Sequence, residues 1–170
     1  MTSSEASALI QAAISEKRKE TWMDLGCGSG TFAYALAGLL TEGSRIVAID
    51  KLSQHIAKER NGVVINFLQA DLENQVLSYR DMDGILIANT LHYISDQPGF
   101  IQRIKPWLKK DGRLVLIEYD TERSNTWVPY PLTFAKAEKL LLEAGFKQVS
   151  KIGAIDSAIR AESIFACVAR

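Results

Sequence analysis

Asp24, Gly26, Cys27, Gly28 and Gly30 crowd into one short stretch, Thr21-Trp-Met-Asp-Leu-Gly-Cys-Gly-Ser-Gly30. A second acid, Asp50, closes the next apolar run, Arg45-Ile-Val-Ala-Ile-Asp50. Three glycines in five positions let backbone approach a ligand where a Cβ would collide. A glycine turn followed roughly 20 residues later by an acid suggests a nucleoside whose ribose hydroxyls need an acceptor. The dinucleotide pattern GxGxxG is not matched, because counting from Gly26 its third glycine position is Thr31. His92 is the other group suited to chemistry, since an imidazole takes up and releases protons near neutral pH. Cys27 has no basic neighbour in sequence, so it is expected to stay a thiol and not act as a nucleophile. His55, in a polar stretch after Asp50, is expected to be exposed and structural. No triad and no metal-ligand spacing stands out, so no metal is expected.

These groups need elements to position them. Apolar runs predict strands over 21–25, 45–50, 63–69, 84–88, 113–119, 147–151 and 163–169. Periodic segments predict helices over 31–40, 53–60, 98–108 and 133–144, with a short helical turn over 74–79. Pro106 should break or kink the third of these helices. Gly43, Gly62, Asp111-Gly112 and Gly145 fall where elements should end, and Asp96-Gln-Pro-Gly99 reads as a helix start. An N-terminal helix follows the capping-box spacing of Thr2-Ser-Ser-Glu5, with Leu9, Ile10, Ala13 and Ile14 on one face and Lys17, Arg18 and Lys19 at its end. Ile85-Leu-Ile-Ala88 and Leu114-Val-Leu-Ile117 do not alternate, so they belong to strands covered on both faces. Strands alternating with helices then predict an α/β fold, a doubly wound sheet of about seven strands, mostly parallel. The connection between the last two strands is too short for a crossover, so the C-terminal strand should be antiparallel.

The 170 residues suit one domain, with 1–20 as an N-terminal cap helix and 21–170 as the core. Lysine plus arginine and aspartate plus glutamate number 20 each. That balance argues against a protein whose work is gripping nucleic acid or anionic lipid. No apolar run approaches the ~20 residues of a membrane span. Two distant cysteines fit a reducing cytosol, and the expected location is cytoplasmic.

Four segments in order carry a resemblance: Met23-Asp-Leu-Gly-Cys-Gly-Ser-Gly30, Val47-Ala-Ile-Asp50, Leu68-Gln-Ala-Asp-Leu72 and Asp83-Gly-Ile-Leu-Ile-Ala-Asn-Thr-Leu-His-Tyr-Ile-Ser-Asp96. Together with Leu108-Lys-Lys-Asp-Gly-Arg-Leu114, the chain from about Thr21 onward resembles the class I S-adenosylmethionine-dependent methyltransferases, in particular the compact small-molecule type 11 group. The resemblance implies a Rossmann-like fold and S-adenosyl-L-methionine as cofactor. It sets Gly26, Cys27, Gly28 and Gly30 against the methionine part, with Asp24 beneath the turn. It implies Asp50 on the ribose, Lys51 beside the adenine, Asp71 and the Leu72 N–H on the adenine edge, and Asn89 near the sulfonium. These positions all close predicted strands, where open α/β sheets bind ligands.

His92 would then serve as a proton acceptor or simply cover the cofactor. Trp127 and Tyr130, on the loop after the fifth long strand, would line an acceptor pocket or pack the loop down. The N-terminal helix is a lid or plain scaffold. Nucleobase amino-methylating relatives carry an Asn/Asp-Pro-Pro-aromatic run where this chain has Asn89-Thr-Leu-His92, so the expected acceptor is a small molecule and not nucleic acid. The alternatives are a non-catalytic cofactor-binding or partner-regulating protein on the same scaffold and, further off, an NAD-dependent oxidoreductase.

Overall fold

A computed structural model describes residues 1–14, 17–156 and 163–170. Its elements in chain order are α1 (Ser3–Ile10), β1 (Thr21–Leu25), α2 (Thr31–Leu39), β2 (Arg45–Asp50), β3 (Glu59–Arg60), β4 (Val63–Gln69), β5 (Met82–Ala88), α3 (Gln97–Ile104), β6 (Leu108–Tyr119), α4 (Phe134–Glu143), β7 (Val149–Asp156) and β8 (Ser163–Ala169). One sheet runs β3-β4-β2-β1-β5-β6-β8-β7. Strands β4, β2, β1, β5 and β6 are mutually parallel, and β8 is antiparallel to both β6 and β7. The mostly parallel sheet with an antiparallel C-terminal strand is as expected. The eighth strand is the two-residue edge β3.

Alternating side chains send the central strands into two cores, which is why their sequences are apolar throughout. Trp22, Ile46, Ala48, Leu86, Val115 and Ile117 meet α1 and α2 on one face. Met23, Ile49, Ile85, Ile87, Leu114 and Leu116 meet α3 and α4 on the other. The two predicted caps form: Thr2 and Glu5 complete the capping box of α1, and Asp96 accepts from the Gly99 N–H at 2.9 Å. Thr133 also caps α4, accepting from the Lys136 N–H.

Several expectations need correction. Residues 53–60 form no helix; only Gln54 and Ile56 are even partly buried there, so a helix would have had no face to bury. Instead Asn61 and Gly62, at φ 53° and 72°, turn the chain back and pair β3 with β4. Two positive-φ residues between paired strands are the hairpin geometry that Asn-Gly favours. Residues 74–79 form no helical turn either, and the turn present covers 72–75. Helix α3 gives way to a 3-10 turn over Lys105–Trp107 at Pro106, as the proline requires. Asp111-Gly112 does not end an element but lies in a bulge where Met82 pairs with Leu108 and Gly84 with Arg113. Helix α1 and its following 3-10 turn stop at Ala13, so Lys17, Arg18 and Lys19 lie beyond the helix they were expected to close. The short connection between β7 and β8 falls largely outside the described residues.

The N-terminal ends of the strands hold a buried ion cluster. Glu20 (2% exposed) accepts from Arg113 (3%) at 2.7 and 2.9 Å and from the Trp22 indole N–H at 2.7 Å. Arg113 also donates to the Ala13 carbonyl at 2.6 Å and lies 4.9 Å over the Trp22 ring. This ties the segment after α1 to the middle of the sheet.

Candidate functional site

At the opposite, C-terminal ends of the strands a cleft of about 630 Å³ opens between the β1 turn, the β2 end, the 70–74 loop and the β5 end. Gly26 and Cys27 donate to the Ile49 carbonyl at 2.7 and 2.9 Å, which sews the β1 turn to β2. Gly26 and Gly28 have φ of 78° and 49°, in the left-handed region where a Cβ is costly. A Cβ on Gly28 would meet nothing within 4 Å, so the turn presents bare backbone to the cleft. Gly30 caps α2 without a side chain. Cys27 lies beneath, buried, and burial pushes its thiol well above the ordinary range. It is no nucleophile in this state.

Asp50 lines the cleft with its carboxylate fixed at both oxygens. Oδ2 accepts from the Gly28 N–H at 2.8 Å and Oδ1 from Leu52 at 2.9 Å. Each oxygen retains a second lone pair, enough for a pair of adjacent hydroxyls. Lys51 and Leu72 also line the cleft. Asp71 lines it too, but its oxygens cap their own turn, accepting from the Glu73 and Asn74 amides at 2.9 and 3.2 Å and from the Asn74 side chain at 3.0 Å. The Asn74 side chain first, then those amides, hold its carboxyl below the usual range.

Asp24 and Asn89 differ from these. Asp24 is 1% exposed, and neither carboxylate oxygen has a hydrogen-bond partner among the described residues. Burial raises its pKa to about 7; the Ala33 amide opposes that rise, and the Asp50 charge adds a smaller push upward. Asn89 lines the cleft at φ 49°, and its buried Oδ1 has no partner. Buried acceptors without donors are rare, and they mark a place built for a donor or a cation. The Asp24 shift has a sign that can be tested. Between pH ~4 and ~7 the unfolded chain ionises this group while the folded chain does not, so the group costs stability increasingly as pH rises, at about 1.4 kcal/mol per unit. Asp24→Asn is expected to gain on the wild type across that window in urea titrations, with the difference vanishing towards pH 4. A gap that does not change with pH would contradict this account.

His92 sits behind the cleft wall in the 3-10 turn Leu91–Tyr93, 2% exposed, and its neighbour Tyr93 faces the cleft. Its Nδ1 lies 2.6 Å from Glu118 Oε2, and the ring lies tilted by 51° against that of Tyr93, 4.3 Å between centroids. Glu118 (1% exposed) also accepts from the Thr90 and His92 amides at 3.0 and 3.3 Å, so one carboxylate organises the whole post-β5 turn. The Thr90 hydroxyl is within reach of the Ala88 and Gly26 carbonyls at 3.0 and 3.3 Å, joining that turn to the glycine turn. Glu118 and Thr90 were not found from the sequence. A lone acid closing the apolar run Leu114–Ile117 was the available signal for the first; for the second there was none. His55 is exposed as expected, on the irregular 51–58 stretch.

The loop holding Trp127 and Tyr130 is stapled by backbone. Tyr130 N–H donates to the His92 carbonyl at 3.0 Å, and Gln97 donates to the Tyr130 and Leu91 carbonyls. The rings themselves remain 66% and 45% exposed and do not line the cleft. They are therefore not what packs the loop down.

The sequence family described as a methyltransferase domain matches residues 16–158. Among solved structures, YcgJ from Bacillus subtilis superposes with a TM-score of 0.74 at 11% identity, over 98% of this chain and 97% of that one. The 1,6-didemethyltoxoflavin-N1-methyltransferase of Burkholderia thailandensis, solved with its acceptor and S-adenosylhomocysteine, gives 0.72 at 20%, over 99% and 77%. An S-adenosylmethionine-dependent methyltransferase from Aquifex aeolicus gives 0.67 at 19%, over 98% and 92%. The ribosomal protein L11 methyltransferase of Desulfotalea psychrophila is 24% identical over 118 residues, 68% of this chain, which spans only 38% of that relative. A glycine turn, an anchored acid and unpartnered acceptors at the strand ends thus coincide with a family match over most of the sequence, and the chain belongs to the methyltransferase domain family, with the class I S-adenosylmethionine-dependent fold.

Proposed function

We propose that this chain transfers a methyl group from S-adenosylmethionine to a small-molecule acceptor. The observation that carries the reading is the chemistry at the strand ends, where the unpartnered Asn89 Oδ1 lines a cleft with bare glycine backbone and the unpartnered Asp24 carboxyl lies buried near Asp50. That combination suits a ligand carrying cations and no phosphate. When bound, S-adenosylmethionine supplies a methyl group already activated on a sulfonium. The protein's part is then alignment and exclusion of water. Asp50 holds the ribose hydroxyls, and Lys51 borders the adenine with Asp71 and the Leu72 N–H at its edge. Gly26, Cys27, Gly28 and Gly30 carry the methionine part, Asp24 answers its ammonium, and Asn89 lies by the sulfonium. His92, held through Nδ1 by Glu118 behind the cleft wall, braces the turn that presents Tyr93 and covers the cofactor. Trp127 and Tyr130 offer exposed rings to the acceptor. Two similar structures are named for small acceptors, 1,6-didemethyltoxoflavin and mitomycin. Two thiols, both free and buried, accord with a cytoplasmic setting.

The test is calorimetry with S-adenosylhomocysteine and NAD, followed by transfer of labelled methyl to a panel of phenols, amines, thiols and carbon acids. Binding of S-adenosylhomocysteine with turnover on one acceptor class is expected. Cofactor binding without transfer to any acceptor would favour a regulatory protein, and binding of NAD alone would refute the reading. Asp50→Ala is expected to weaken S-adenosylhomocysteine by about 1–3 kcal/mol, the scale of hydrogen bonds to a charged group. Unchanged affinity would mean that the ribose lies elsewhere.

A further inference from the structure

A concentration of cations lies away from the cofactor cleft. At the N-terminal ends of the strands a groove of about 690 Å³ runs between the β6 bulge and the α4–β7 connection. Lys105, Lys109, Lys110, Lys147 and Arg170 line it, and no aspartate or glutamate does. In a chain of zero formal charge this is a local concentration of cations. Two are committed: Lys109 pairs with Asp83 at 2.6 Å, and Lys105 donates to the Ala144 carbonyl while lying over Phe146. The side chains of Lys110, Lys147 and Arg170 have no acidic partner among the described residues. The remaining lining is apolar or small, with Pro106, Leu108 and Phe146 beside Gly112 and Gly145. Gly112 cannot gain a side chain without meeting the Met82 carbonyl at 2.9 Å, so the bulge keeps bare backbone in the groove wall.

We propose that this groove docks an acidic polypeptide segment of a partner protein, carboxylates meeting the three uncommitted cations and an apolar side chain resting on Pro106 and Leu108. Charge complementarity requires an anionic partner. The rings at the groove decide its class. Phe146 and Trp107 are both only 6% exposed, so no aromatic face is offered on which nucleobases could stack. Four of the five cations are lysines, which act as point charges and lack the planar fork that grips phosphate bidentately. Docking here leaves the cofactor cleft open, because the two lie at opposite strand ends.

The test uses the full chain and a fluorescein-labelled peptide of alternating glutamate and leucine, read by anisotropy. Saturable binding that weakens as salt rises is expected. Lys110→Glu with Lys147→Glu should weaken it about tenfold or more, while S-adenosylhomocysteine binding by calorimetry stays unchanged. Reversing Lys136 and Lys139 on α4, which pair with Glu122 and Glu143, alters net charge equally and should leave peptide binding nearly intact. Three results would overturn the proposal: no binding, equal losses from both pairs of reversals, or tighter binding of a labelled oligouridylate of the same charge. None of these bears on the cofactor reading, which the calorimetry reports separately.

Discussion

Arg113→Ala is expected to lower the unfolding free energy by about 3–5 kcal/mol, read as a shifted urea midpoint. The size follows from what the substitution strands. Glu20 would remain in the core at 2% exposure with only the Trp22 indole and the more distant Arg18 as donors. The Ala13 carbonyl would lose its donor, and the guanidinium plane would leave the face of Trp22. A buried carboxylate cannot regain water without opening the sheet base, so the loss exceeds that of any surface pair. The double change Arg113→Met with Glu20→Gln should recover much of the stability, because it removes both charges together. If Arg113→Ala cost less than about 1 kcal/mol, the cluster would be solvated and the account of how the N-terminal segment is held would be wrong.

The second large effect is expected at the glycine turn. Gly26→Ala would put a Cβ 2.1 Å from Thr90 Oγ1 and 2.4 Å from its Cγ2, at φ 78°. The left-handed backbone alone costs about 1–2 kcal/mol with a side chain. Thr90 cannot swing aside freely, since a β-branched side chain has few rotamers and its hydroxyl bonds to the Ala88 carbonyl. The turn must therefore move off Ile49, and the cleft floor moves with it. S-adenosylhomocysteine affinity should fall by roughly 100-fold or more, the scale of about 3 kcal/mol. Adding Thr90→Gly should relieve the collision but not the backbone cost, so a double-mutant cycle should show favourable coupling. Strict additivity would show that the two turns do not touch.

Runs of apolar residues made the strand ends legible, and with them the place of the glycine turn and Asp50 at the cleft. Asp71 and Asn89 came from the resemblance and also line the cleft, whereas Asp24 lies buried outside its lining. The missing helix at 53–60 shows where such reasoning fails. Ser-Gln-His-Ile-Ala-Lys-Glu-Arg has helix-forming residues but almost nothing to bury, and propensity without an apolar face does not hold a helix to a sheet. Asn61-Gly62 carried the competing hairpin signal, yet it reads equally well as a helix stop. Glu118 and Thr90 were missed for another reason. Their partners lie 28 and 64 positions away, and only the completed sheet brings them together. The Asp71 carboxylate was expected at an adenine, and the structure gives it a local turn to cap first.

The ion-paired base around Glu20 and Arg113 and the loop carrying Trp127 and Tyr130 stand at opposite poles of the sheet and share no residue. Substitutions at the exposed positions of that loop therefore alter neither the buried charges nor the two cores, which the loop itself enters only through buried residues such as Leu132. If the loop meets the acceptor as proposed, a lineage built this way can exchange one acceptor for another at those positions without first acquiring surplus robustness. In the laboratory, libraries confined to the exposed positions 122–127 and 130 should retain thermal tolerance close to that of the parent.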